Sequence, residues 1–138
     1  MNYIPLFLRH IITLRANYRC EYCQLSQKGQ EATFHVDHII PMASGGETIG
    51  DNLALACVSC SLRKGAKEFV IDEITKTTVR IFHPRKDAWE DHFKWRGFLV
   101  KGITEKGRAT VKILNLNRDL ILEIRKEEFL LKRHPFNL

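Results

Sequence analysis

Two Cys-x-x-Cys pairs, Cys20–Cys23 and Cys57–Cys60, constrain this chain more than any other feature, and they hold all 4 of its cysteines. Each pair presents two sulfur atoms from one tight turn, so together they make a four-ligand set for a tetrahedral zinc ion. Two other uses of such pairs fit less well. Disulfides need an oxidising compartment, and the N-terminus shows no secretory pattern, because Pro5 and Arg9 interrupt Leu6-Phe7-Leu8. A redox Cys-x-x-Cys calls for one pair rather than two. Four sulfurs also leave a zinc ion no open position, so the expectation is a structural metal and a reactive site elsewhere.

The insert between Cys23 and Cys57 is too long for a turn and must be a unit of its own. It carries His35-Val36-Asp37-His38-Ile39-Ile40-Pro41, then Gly45-Gly46, then Asp51-Asn52-Leu53. His38 titrates near physiological pH and suits general-base work. Asp37 beside it offers a hard oxygen to a magnesium-type ion. Such a pair could activate water against a phosphate. On these two residues alone, a strand-end pair making ordinary hydrogen bonds is an open alternative. Among the 138 residues, 22 Lys and Arg stand against 16 acidic residues, for a net charge of +6. That excess favours a polyanionic partner. No apolar stretch approaches the length of a membrane span, and the expected location is cytoplasmic.

Pattern predicts a helix over about 5–17, its Leu8, Ile11 and Ile12 facing inward and Arg9, Arg15 and Arg19 in solvent. Residues 34–40 read as a strand ended by Pro41. Ile49 suits a short return strand, 53–56 a short helix capped by Asp51 or Asn52, and 61–69 a basic helix. Beyond residue 69 the expectations are a strand over 79–82 and a hairpin turning near Arg96-Gly97. Thr104 should cap a helix over 105–116. A last helix, about 118–132, should bury Leu120, Ile121, Ile124, Leu130 and Leu131. With no repeats and no linker, the chain reads as one domain, 1–138.

The spaced elements His-Val-Asp-His-Ile-Ile-Pro, Gly-Gly, Asp-Asn-Leu-Ala-Leu-Ala-Cys and Cys-Ser-Leu-Arg-Lys-Gly closely resemble the HNH endonuclease family. The resemblance covers about 15–68 and leaves 69–138 as a C-terminal extension. It implies an α+β fold whose core is a ββα-metal (HNH, His-Me finger) motif with a zinc knuckle clamp, followed by C-terminal strands and helices. It implies a metal-dependent endonuclease or nickase hydrolysing DNA phosphodiester bonds, with structural Zn2+ at the cysteines and Mg2+ or another divalent ion at the reactive site. By the same resemblance Asp37 binds the catalytic ion, His38 activates water, Asn52 steadies the loop and orients His38, and Lys64 faces phosphate. Arg63 and Lys67 on the same segment are expected to grip DNA with it.

Ser61 departs from the pattern. The family usually carries His or Asn there as the second protein ligand of the catalytic ion. Three outcomes stand open: Ser61 is a weak or water-mediated ligand, His35 contributes from the same strand face as Asp37, or activity is reduced. The alternative function is therefore a catalytically weak or inactive zinc-stabilised DNA-binding module. Oligomeric state and DNA preference are not legible.

Overall fold

In the computed structural model, which describes residues 3–136, the insert between the cysteine pairs is an antiparallel pair of strands followed by a helix. Strand β1 (His35–His38) pairs with β2 (Leu53–Ala56), from His35 opposite Ala56 to His38 opposite Leu53. The expected helix at 53–56 is thus a strand. Its four residues are all buried, and pairing with β1 satisfies a backbone that a single helical turn would leave open. Burying Leu53 and Leu55 contributes about 1.5–3 kcal/mol each. Ile49 is extended but unpaired, and the turn Gly50–Asn52 follows it.

Helix α2 (Val58–Lys64) starts earlier than expected because Cys57 caps it, its sulfur accepting from the Cys60 N–H. Gly65, at φ 50°, ends it, so Phe69 opens a strand instead of closing a helix. Helix α1 (Leu6–Arg15) packs on the β1–β2 pair and buries Ile12, but Ile11 is 51% exposed. Arg19, expected in solvent, is buried. Its guanidinium donates to the Gln24 and Arg133 carbonyls at 2.8 and 2.7 Å and lies over the Phe136 ring.

The C-terminal half adds two more antiparallel hairpins and three helices. They are β3 (Phe69–Ile71) with β4 (Thr78–Arg80), α3 (Trp89–His92), β5 (Phe93–Arg96) with β6 (Leu99–Gly102), α4 (Glu105–Ile113) and α5 (Asp119–Leu130). Thr104 caps α4 as the sequence predicts, accepting from the Gly107 N–H. On α5 the predicted apolar face holds at Ile121, which is buried, and at Ile124, which packs against the core, and fails at its three leucines. Leu120, Leu130 and Leu131 are exposed, while Ile121, Arg125 and Glu128 point inward. Arg125 sets that rotation by donating to the Phe98 and Leu116 carbonyls at 2.9 and 2.7 Å, bonds that a buried guanidinium requires.

One buried core runs through both halves. Tyr22 of the first cysteine turn meets Phe82 edge-on at 6.5 Å, and Phe82 meets Phe93 at 5.2 Å. Trp89 Nε1 donates to the Tyr22 carbonyl at 3.0 Å. Glu21 accepts from the Leu55 N–H and pairs with Arg85, so it ties β2 to the extension. Among the described residues no helix is long and apolar enough to cross a membrane.

Candidate active site

The two cysteine turns bring Cys20, Cys23, Cys57 and Cys60 together, all buried, with their sulfur atoms within 4.8 Å of one another. Cys23 Sγ and Cys57 Sγ lie 3.7 Å apart. A tetrahedral site with metal–sulfur bonds of about 2.3 Å has edges of about 3.8 Å, so the cage has the dimensions of a zinc site. In each turn a backbone N–H supports a sulfur: Cys23 N–H to Cys20 Sγ and Cys60 N–H to Cys57 Sγ, both at 3.4 Å. Burial pushes the Cys20 thiol up, while hydrogen bonding within the cluster pushes Cys60 up and pulls Cys57 down. Four buried sulfurs cannot all ionise together without a cation, and this donor set calls for one.

Asp37 and His38 sit at the far end of β1, where the chain leaves the strand for the 39–52 loop. Asn52, buried, holds that loop shut. Its Oδ1 accepts from the Ile40 N–H at 2.8 Å, and its Nδ2 donates to the Ile40 and Glu47 carbonyls at 3.1 and 2.9 Å. Gly46 lies so close that a Cβ there would stand 1.8 Å from the Ile40 oxygen. Asn52 does not touch the His38 ring. That contact belongs to Thr48, whose Oγ1 is 2.8 Å from His38 Nε2. In the tautomer whose Nε2–H donates to Thr48, Nδ1 is the nitrogen that carries a lone pair. Burial lowers the His38 pKa, Asp37 opposes that shift and Lys64 adds to it, so the imidazole is neutral at physiological pH.

Lys64 requires a correction. It is 2% exposed and its Nζ donates to the His38 carbonyl at 3.2 Å, so it supports the strand end rather than facing solvent phosphate. Burial lowers its pKa, against the pull of Asp37. Arg63 and Lys67 are exposed on the same segment. Asp37, half-buried, has no hydrogen bond or ion pair to protein among the described residues. It lines two cavities. One, of about 540 Å³, also takes in His38, Pro41 and Ser61. The other, of about 710 Å³, runs between α1 and β1 past Arg9, His10, Tyr18 and His35. Ser61 Oγ lies 2.9 Å from His35 Nδ1.

Residues 20–67 match the family described as HNH endonuclease. That stretch is therefore similar to an HNH domain. Two curated relatives extend the likeness beyond it. The chain is 26% identical over 142 residues to "Septu protein PtuA" of Bacillus mycoides (strain KBAB4), covering 82% of this chain and 19% of that protein. It is 27% identical over 105 residues to "Septu protein PtuB" of Bacillus thuringiensis, covering 75% of this chain and 38% of that protein. Both coverages are too long to stop at residue 67, so the likeness runs into the C-terminal half. This chain nonetheless spans well under half the length of either relative. No solved structure matches it.

Within residues 20–67, sequence reasoning missed Thr48 and Glu21. Thr48 sits in a loop with no periodicity, and only the folded loop carries it back to the His38 ring. Glu21 lies inside a knuckle whose cysteines absorb attention, and its role is a contact to a strand more than thirty positions away.

Proposed function

We propose that this chain is a metal-dependent endonuclease or nickase that hydrolyses DNA phosphodiester bonds. In this reading β1, β2 and α2 are a ββα-metal core, and the cysteine cage holds a structural zinc that clamps it. His38 is the general base. Thr48 anchors its ring at Nε2, and in the tautomer protonated there Nδ1 takes the proton from the attacking water. The water oxygen bonds to phosphorus, the bond from phosphorus to the sugar oxygen breaks, and that oxygen keeps the electron pair and takes a proton from solvent water. Asp37 is the carboxylate that would hold the divalent ion, which supplies charge neutralisation at the phosphate when bound. Asn52 positions His38 by closing its loop, and Lys64 does so through the His38 carbonyl. Arg63 and Lys67 bind the DNA backbone, and Arg9 and His10 in the α1–β1 cavity extend the basic path away from Asp37.

One observation carries the reading. A neutral, half-buried histidine, held by a hydroxyl at one nitrogen, follows in sequence a carboxylate that no cation among the described residues pairs with. A structural aspartate at a strand end would be tied to a neighbouring donor, and the Asp37 carboxylate is not, among the described residues. Ser61 favours the second reading, a DNA-binding module with a decayed centre, because its hydroxyl is spent on His35. The likeness to two Septu proteins supports a setting in which this domain acts alongside further protein.

Supercoiled plasmid incubated with the protein and Mg2+, Mn2+ or Ni2+ tests the choice, beside His38→Ala. Nicking lost in the variant supports the enzyme. DNA retardation without nicking under any of these ions means the second reading is correct.

A further inference from the structure

We propose that His35 is the second protein ligand of the divalent ion held at Asp37, and that the Ser61 hydroxyl is the clasp that orients the His35 ring. This rests on the reading of Asp37 as a metal ligand.

The geometry begins with strand alternation. His35 and Asp37 are two residues apart on β1, so their side chains leave the same face, while Val36 and His38 leave the other. Their cross-strand partners on β2 are Ala56 and Ala54. Methyl groups opposite both positions leave the space above that face to the longer side chains of β1 and to α2. Ser61 reaches in from α2 and meets His35 Nδ1 at 2.9 Å.

That contact decides which group can coordinate. A metal-bound histidine ordinarily donates its second ring N–H to a neighbouring acceptor, which fixes both tautomer and ring orientation. Nδ1–H donating to Ser61 Oγ leaves the Nε2 lone pair outward. The described residues supply no hydrogen bond to His35 Nε2 and none to the Asp37 carboxylate, and both side chains line the same cavity of about 710 Å³. A neutral hydroxyl is a weak ligand beside an imidazole, and here it is engaged. One nitrogen and one carboxylate oxygen, with water filling the remaining positions, favour Ni2+ or Co2+ over Mg2+, since imidazole suits the later divalent ions.

Ni2+ titrated calorimetrically into zinc-loaded protein tests this, with zinc occupying the sulfur cage. His35→Ala should weaken the Ni2+ affinity about a hundredfold, and Ser61→Ala about tenfold, the range for losing a residue that orients a ligand. The His35 side chain is exposed, so the variant should fold, and circular dichroism checks it. Proton NMR with Co2+ gives a second readout: a paramagnetically shifted imidazole N–H signal, present in wild type and in Ser61→Ala and absent in His35→Ala. Three results count against the proposal. If His35→Ala keeps wild-type Ni2+ affinity while Asp37→Asn loses it, His35 is no ligand but the site at Asp37 stands. If Ser61→Ala costs as much as Asp37→Asn and His35→Ala costs nothing, Ser61 is the ligand. If Asp37→Asn also keeps wild-type affinity, the metal reading of the whole site fails.

Discussion

Asn52 offers the sharpest test of how the reactive loop is held. Replacing it with Ala removes three hydrogen bonds, to the Ile40 N–H, the Ile40 carbonyl and the Glu47 carbonyl. At about 1 kcal/mol net for each bond, the loss is about 3 kcal/mol. The core strands do not depend on those bonds, so the cost should appear as opening of the 39–52 loop rather than global unfolding. Each 1.4 kcal/mol is a factor of ten, so about 3 kcal/mol means roughly hundredfold faster hydrogen exchange at the Ile40 amide. Nicking should fall with it, because Thr48 travels with the loop. Asn52→Asp sharpens the test. It keeps an acceptor for the Ile40 N–H but sets a carboxylate oxygen against two carbonyls, so at neutral pH it should open the loop at least as far as Ala. Ile40 exchange within about threefold of wild type in both variants would refute this account of the loop.

Three further outcomes follow from the same structure. Lys64→Met should abolish nicking while leaving the salt dependence of DNA binding unchanged, because Lys64 is buried against the His38 carbonyl; Arg63→Ala and Lys67→Ala should each flatten that dependence by about one unit in log–log slope, read by fluorescence anisotropy. Stripping the cysteine cage with a chelator should red-shift the tryptophan emission, since Trp89 is bonded to Tyr22 inside the first cysteine turn; an unchanged spectrum with all thiols titratable would count against a structural metal. Asp72, held well below the usual carboxylate range chiefly by Arg108 and then by Thr75, has a folded pKa lower than its unfolded one. Its stabilisation is therefore present above about pH 4 and fades as pH falls, so Asp72→Asn should lower the urea midpoint at pH 7 and differ less from wild type at pH 2.

Much of the site was legible because its chemistry is local in sequence. The paired cysteines, Asp37 beside His38, and the Thr104 cap are short-range patterns, and each folds as its spacing implies. What sequence misread shares a different cause. Residues 53–56 look helical beside a capping Asp51–Asn52, yet β1 is waiting to pair with them, and a strand's partner lies outside any local window. Lys64 looks like a surface cation from its neighbours Arg63 and Lys67, and one step around α2 turns it inward instead. Leu120, Leu130 and Leu131 look like core, but the buried Arg125 fixes the rotation of α5, because an interior guanidinium needs the Phe98 and Leu116 carbonyls more than a leucine needs cover.

The sequence by itself determined that two sulfur pairs would bracket an insert carrying adjacent carboxylate and imidazole side chains, since covalent spacing sets which sulfurs one turn brings together. Only the tertiary structure decided what stands around that pair. Thr48 reaches the His38 ring, Lys64 supports its carbonyl, and the Ser61 hydroxyl goes to His35. Those partners come from separate elements, and their distances exist only after β1, β2 and α2 have packed.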